Sequence, residues 1–192
     1  MRYAEVPRRQ VSQSPDQRPP RQISRYGRPR VSSLSTLYPL IGNLPGALSI
    51  MARPQDLHAD LAAVKNAGVD TIISLLEPAE AAAVGLSREA QVCTSLGIIF
   101  LNHPIRDMHL PDPAAFQLFA TDIAARMRRG AQVAVHCHAS IGRSGMLACT
   151  TLGHFGYTAP TALAHVSKMR GVPVPDTTEQ AAFIRQIMTP QA

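Results

Sequence analysis

At 192 residues the chain is long enough for one well-buried core and too short for two domains of ordinary size. Its net charge of +6 is confined to one end: residues 1 to 30 carry eight arginines against Glu5 and Asp16, while residues 31 to 192 carry eleven basic and eleven acidic side chains. The remainder is neutral, which excludes for it the basic surface of a nucleic-acid or acidic-membrane binder.

The arginine-bearing stretch, MRYAEVPRRQVSQSPDQRPPRQISRYGRPR, is rich in Pro, Gln and Ser and has almost nothing apolar to bury. Residues 1 to 33 therefore read as a disordered, solvated tail, with a docking arm for an acidic partner as the alternative. No apolar stretch of secretory or membrane-spanning length follows the early arginines, so the expectation is a soluble protein. Cys93, Cys137 and Cys149 are too few and too irregularly spaced for a disulfide framework, which fits a reducing, cytoplasmic compartment. The bias of 17 arginines over two lysines, with abundant alanine, points to a GC-rich bacterial genome.

From Leu34 the pattern is that of a globular domain to residue 192. TLYPLIG and ALSIMA flank the turn-like NLPG and predict a hairpin or two edge strands. PQDLHADLAAVKNAG has Leu57, Leu61 and Val64 at helical spacing, Pro54 for the first turn and Gly68 for the stop. DTIISLL is a continuous apolar run, as in a strand buried on both faces of a parallel sheet. SREAQVCTSLG predicts a helix capped by Ser87, and IIFLNHPI another strand, ending at Pro104. After the polar RDMHLPDP comes AAFQLFATDIAARMRRG, a long amphipathic helix with basic residues and a glycine at its end. AQVAVHC reads as a central strand. Three helices follow: one from near Arg143, PTALAHVSKMRG behind Thr158, and TTEQAAFIRQIM behind Asp176 and Thr177. Strands alternating with helices predict an α/β fold with a mostly parallel sheet covered on both faces. Such sheets bind ligands beyond the carboxyl ends of their strands.

VHCHASIGRSG lies at such an end. A loop built largely of small residues there lets successive backbone N–H groups point inward, and the start of a helix adds positive potential, so an anion such as phosphate is favoured. Arg143 can contact two phosphate oxygens at once. The same field favours a thiolate at Cys137, which beside a bound phosphorus atom is a nucleophile. A cysteine followed six positions later by arginine is weak on its own. Its context strengthens it: a strand before, His136 adjacent, Gly142 and Gly145 around Arg143, Ser144, and a helix after. Metal binding by the HCH triplet is disfavoured, because adjacent strand residues point to opposite faces and no second ligand pair is evident.

HCHASIGRSG resembles the active-site loop of cysteine-dependent protein tyrosine and dual-specificity phosphatases. Three further blocks, VDTIISLLEPAE, NHPIRDMHLPD and MRGVPVPDTTEQAAFI, extend the likeness over most of residues 35 to 190. The compact kinase-associated form and its bacterial relatives are most similar. The resemblance implies a protein-tyrosine-phosphatase-like fold. It makes Cys137 the nucleophile, Arg143 the phosphate-binding and transition-state-stabilising residue, and residues 138 to 142 (His138, Ala139, Ser140, Ile141, Gly142) the phosphate loop. Asp107 aligns with the general acid that protonates the leaving oxygen and later acts as base toward water. Asp112 is the rival acid, although it stands where AAFQLF wants a helix cap. Ser144 resembles the hydroxyl that bonds the cysteine sulfur, and His136 the histidine that orders the loop backbone, with a satisfied strand-end histidine as the alternative. Gln180 resembles a late glutamine near the site in some members, while a helix-surface glutamine is the plainer reading.

Two departures stand out. Ser140 occupies a usual glycine position, so a positive φ there would strain the loop. Ile141 stands where lipid and inositol phosphatases often carry lysine, and the loop has none, which favours phosphoproteins over a highly charged inositol headgroup. The expected activity is cofactor- and metal-independent hydrolysis of phosphate monoesters on phosphoproteins. Its alternatives are a phosphatase for a phosphoinositide, nucleotide or RNA 5′ end, and a pseudophosphatase that binds phosphosites without turnover.

Overall fold

The computed structural model describes residues 37 to 42 and 45 to 189; the predicted tail, residues 1 to 33, lies outside them. Two strands open the domain, β1 (Tyr38–Ile41) and β2 (Ala47–Met51), paired antiparallel as the hairpin reading expects. There follow α1 (Leu57–Asn66), β3 (Thr71–Ser74), α2 (Pro78–Ala83), α3 (Glu89–Ser95), β4 (Ile99–Asn102), α4 (Pro113–Arg128) and β5 (Gln132–His136). Three helices complete the chain: α5 (Gly142–Gly153), α6 (Ala159–Arg170) and α7 (Thr178–Ile187).

The sheet runs β1-β2-β5-β3-β4. β5 is parallel to β2 on one side and to β3 on the other, and β4 is parallel to β3, so only β1 runs against its neighbour. AQVAVHC is thus central, as its apolar run requires. β2 lies inside the sheet, which corrects the alternative of two edge strands.

Alternation along the strands sends side chains to two cores. Leu48, Ile50, Ile73, Val133 and Val135 face Phe116 and Ile123 of α4, Met146 and Leu147 of α5, Val166 of α6 and Phe183 of α7. Met51, Ile72 and Ala134 face Leu61 and Val64 of α1, Val92 and Cys93 of α3, and Ile98. Both faces are covered, as expected. Each fully buried aliphatic side chain contributes ~1.5–3 kcal/mol. Helix α5 is the hub, buried along its length from Gly142 to Leu152.

Three helix starts match their predicted caps: Asp112 accepts from Ala115 N, Thr158 from Thr161 N, and Thr177 from Gln180 N. Two do not. Pro54 precedes α1, whose cap is Asp56, because the buried Asp60 carboxylate turns back to accept from Gln55 N at 2.7 Å and shapes the entry as a turn. α3 begins at Glu89 behind Arg88, so Ser87 caps nothing; Glu89 itself is buried and drawn toward the sheet. No helix among the described residues is long and apolar enough to cross a membrane.

Candidate active site

β5 ends at His136 between Met51 of β2 and Ser74 of β3, so the chain leaves the sheet at the carboxyl ends of three parallel strands. It turns through residues 137 to 141 and enters α5 at Gly142, with Ile141 as the N-cap. Cys137 sits at the base of this turn, 3% exposed. The loop faces the N-terminus of a twelve-residue helix, whose free N–H groups and dipole attract an anion.

Ser140 is buried with φ +62°. The positive φ makes the usual glycine understandable: a Cβ in this region costs of order 1 kcal/mol. Gly142 serves a different need, since a Cβ there would run into the Asp176 carboxylate and lie 2.8 Å from Gln180 Oε1. That contact corrects the surface reading of Gln180. It is 1% exposed in the first turn of α7, with its amide packed against the loop and no protein partner for either polar atom.

Arg143, 1% exposed, is held by more than the sequence suggests. Its Nη1 donates to Glu80 Oε2 at 2.6 Å and to the Ile105 carbonyl at 3.0 Å, and its Nη2 donates to Glu80 Oε1 at 2.8 Å. Glu80 thus takes the end-on edge of the guanidinium in bidentate form. Asp107 Oδ1 stands 2.9 Å from Nη2, with its side chain 62% exposed. Burial pulls the Arg143 pKa down, but Glu80, Cys137 and Asp107 outweigh it and the guanidinium titrates above its ordinary value. The bond to Arg143 correspondingly holds the Glu80 carboxyl below the usual carboxylate range, against the opposing effect of burial.

Asp107 and Asp112 are separated by what they touch. Asp107 reaches Arg143, whereas Asp112 Oδ1 accepts from Ala115 N at 2.8 Å as the cap of α4. His136 is fully buried: Nε2 lies 2.8 Å from Glu89 Oε1, and Nδ1 lies 3.3 Å from the Cys137 carbonyl. The ring therefore connects α3 to the first peptide of the loop. Ser144 Oγ is buried with no protein hydrogen-bond partner, so the bond to sulfur that the resemblance implies is not formed in this arrangement. His138 and Ala139 are exposed and Ile141 is half-buried.

Four contributors escape the sequence reading: Glu80, Glu89, Asp176 and Arg170, the last reaching the Ala139 and Ser140 carbonyls from the end of α6. A cue for Glu80 existed in LEPAEA, because a buried arginine at a helix start requires a carboxylate partner from somewhere. Nothing local marks the other three.

A family model described as "Swiss Army Knife protein, DSP-PTPase phosphatase domain" matches residues 43–191. No curated protein matches the chain at a significant level. Among solved structures, kinase associated phosphatase (KAP), with a serine at its catalytic-site cysteine, superimposes with a TM-score of 0.74 at 18% identity, covering 82% of this chain and 98% of that one. Tk-PTP in its active form gives 0.66 at 23% identity, covering 80% and 98%. PTPMT1 gives 0.61 at 19% identity, covering 73% and 88%.

Proposed function

The chain belongs to the DSP-PTPase phosphatase family, and from that premise we propose that it hydrolyses phosphate monoesters on proteins through a phosphocysteine at Cys137. The observation that carries the proposal is the division of the Arg143 guanidinium. Glu80 and Ile105 O take both protons of Nη1 and one of Nη2, leaving the Nε–Nη2 edge as the fork for two phosphate oxygens. Asp107 stands beside that edge, where a leaving group would emerge.

In the first step the Cys137 sulfur attacks phosphorus, forming the S–P bond as the bond to the leaving oxygen breaks. Phosphate takes the Nε–Nη2 edge, and Asp107, which takes up a proton from solvent as it parts from Arg143, passes that proton to the departing alkoxide or phenolate. In the second step Asp107 takes a proton from water, the oxygen attacks phosphorus, and the S–P bond breaks to release phosphate and the thiolate. Gln180, buried against Gly142 with its amide unpartnered, would orient that water. Loop N–H groups, the α5 N-terminus and Arg143 stabilise the charge on the equatorial oxygens, the main source of rate in such sites. No step calls for a metal.

Ile141 and the absence of lysine from residues 137 to 143 support a phosphoprotein over a multiply charged lipid headgroup. The lipid reading keeps one specific support, a structural neighbour, PTPMT1, solved in complex with PI(5)P. The test is a panel of phosphotyrosine and phosphoserine peptides against phosphoinositides, assayed in chelator with wild type, Cys137→Ser and Asp107→Asn. Peptide turnover should survive chelation, vanish in Cys137→Ser and fall by about 10²-fold or more in Asp107→Asn. Turnover of phosphoinositides with inert peptides would transfer the assignment to lipids, and peptide binding without turnover would make the protein a phosphosite-binding module.

A further inference from the structure

Three consecutive carbonyls of the loop are tied down from outside it. His138 O accepts from the backbone N–H of Arg53 at 3.2 Å, Ala139 O from Arg170 Nη2 at 3.1 Å, and Ser140 O from Arg170 Nε at 3.1 Å. In a trans peptide the N–H points opposite to the C=O. Fixing these carbonyls outward turns the N–H groups of Ala139, Ser140 and Ile141 toward the concave side of the loop, where the anion binds. A loop of small residues has no intrinsic reason to keep three amides parallel, and Ser140, at φ +62°, resists this shape. The guanidinium supplies the reason, and its own place is set from behind: Arg170 ends α6 with its charge 4.4 Å above the ring of Tyr38 on β1.

We propose that Arg170, seated on Tyr38, is a positioning residue that holds the phosphate loop in its anion-binding form. It touches neither phosphorus nor the leaving group and acts through the peptides of Ala139 and Ser140. A planar fork suits this role because two adjacent carbonyls need two donors at fixed spacing, and a lysine ammonium cannot reproduce both bonds and the ring contact together. The proposal rests on the reading of the loop as a phosphate cradle, so its test measures anion binding apart from turnover.

Inorganic phosphate is titrated calorimetrically into full-length wild type, Arg170→Gln and Arg170→Lys, with thermal melting and steady-state kinetics alongside. Arg170→Gln should stay folded, bind phosphate about tenfold or more weakly, and lose kcat/KM by at least the same factor, as two charge-assisted hydrogen bonds would require. Arg170→Lys should recover part of both losses. Unchanged phosphate affinity in folded Arg170→Gln overturns the clamp. A wild type that binds no phosphate overturns the cradle and the clamp with it. If Arg170→Gln does not fold, Arg170→Lys decides alone: wild-type affinity there overturns the requirement for a fork, and weakened affinity at an unchanged melting temperature supports it.

Discussion

Glu80 shows how one exposed-looking glutamate can govern a buried cation. Its two oxygens bind the end-on edge of Arg143 and leave the side edge for substrate, so the pair orients the guanidinium as well as neutralising it. Replacing Glu80 by Gln should destabilise the fold by about 2 kcal/mol at neutral pH, because Arg143 remains buried with less compensation. It should also weaken phosphate binding. The pH dependence follows from the depressed carboxyl: its contribution is complete above the ordinary value of 4.5 and is lost as pH falls through the lower folded-state value. Urea unfolding at pH 7 and again well below pH 4.5 should therefore show a gap between wild type and variant that closes in acid. The cysteines give a second prediction. Burial, aided by Glu89 at Cys93, pushes both Cys93 and Cys149 up to about 12, so neither is a thiolate at neutral pH. Iodoacetamide at pH 7 should label Cys137 alone in the folded protein, and peroxide should inactivate at that residue, reversibly at first. Labelling of Cys93 or Cys149 at the rate of Cys137 would contradict their burial.

At the scale of elements, α5 and α7 meet so closely that small residues are required between them and the connecting segment. At Gly145 a Cβ would collide with Cγ1 of Val174, a β-branched side chain with little freedom to yield. Gly145→Ala should cost ~1–3 kcal/mol by overpacking and move the loop with the first turn of α5. Thermal melting and phosphate titration should both register it, whereas Thr161→Ala, on an exposed turn of α6, should leave phosphate affinity alone. What could be read from sequence divides along the same physical line. Helices α4, α6 and α7 announce themselves because Asp112, Thr158 and Thr177 cap them through local bonds. Helix α2 does not: it is six residues long, has no side-chain cap and no buried residue, and its Glu80 is bonded to Arg143, 63 positions away in sequence. Cys137 and Arg143 stand out in the sequence because the proposed chemistry prescribes their types and spacing, and Asp107 because of the resemblance. Glu89, Asp176 and Arg170 do not, because each is defined by what the fold brings beside the loop. Gln180 was suggested by resemblance, and only packing against Gly142 shows why a helix-start glutamine is buried.

Over the whole molecule, charge and chemistry occupy different lengths of chain. Among the described residues, the side chains around the loop, from Tyr38 behind Arg170 to Gln180 on α7, lie in the part of the sequence where acidic and basic residues balance. The surplus of six positive charges lies wholly within residues 1 to 30. Active-site turnover and polyanion affinity should therefore be separable by one cut. Deleting residues 1 to 33 should leave hydrolysis of a small aryl phosphate within about twofold of wild type, since no residue proposed for the site is removed. The same deletion should abolish retention on a cation-exchange resin at low salt, which the full chain should show and lose as salt screens the arginines. A large fall in aryl phosphate turnover would mean that the N-terminal segment supports the catalytic loop. The route for such an effect is short, because β1 begins a few residues later and its Tyr38 carries the arginine that holds Ala139 and Ser140. An acidic partner that engages the N-terminal arginines would then act at the same point. Turnover by the full chain, titrated with an acidic peptide, should stay flat if the two functions are independent, and should change in step with peptide occupancy if β1 couples them.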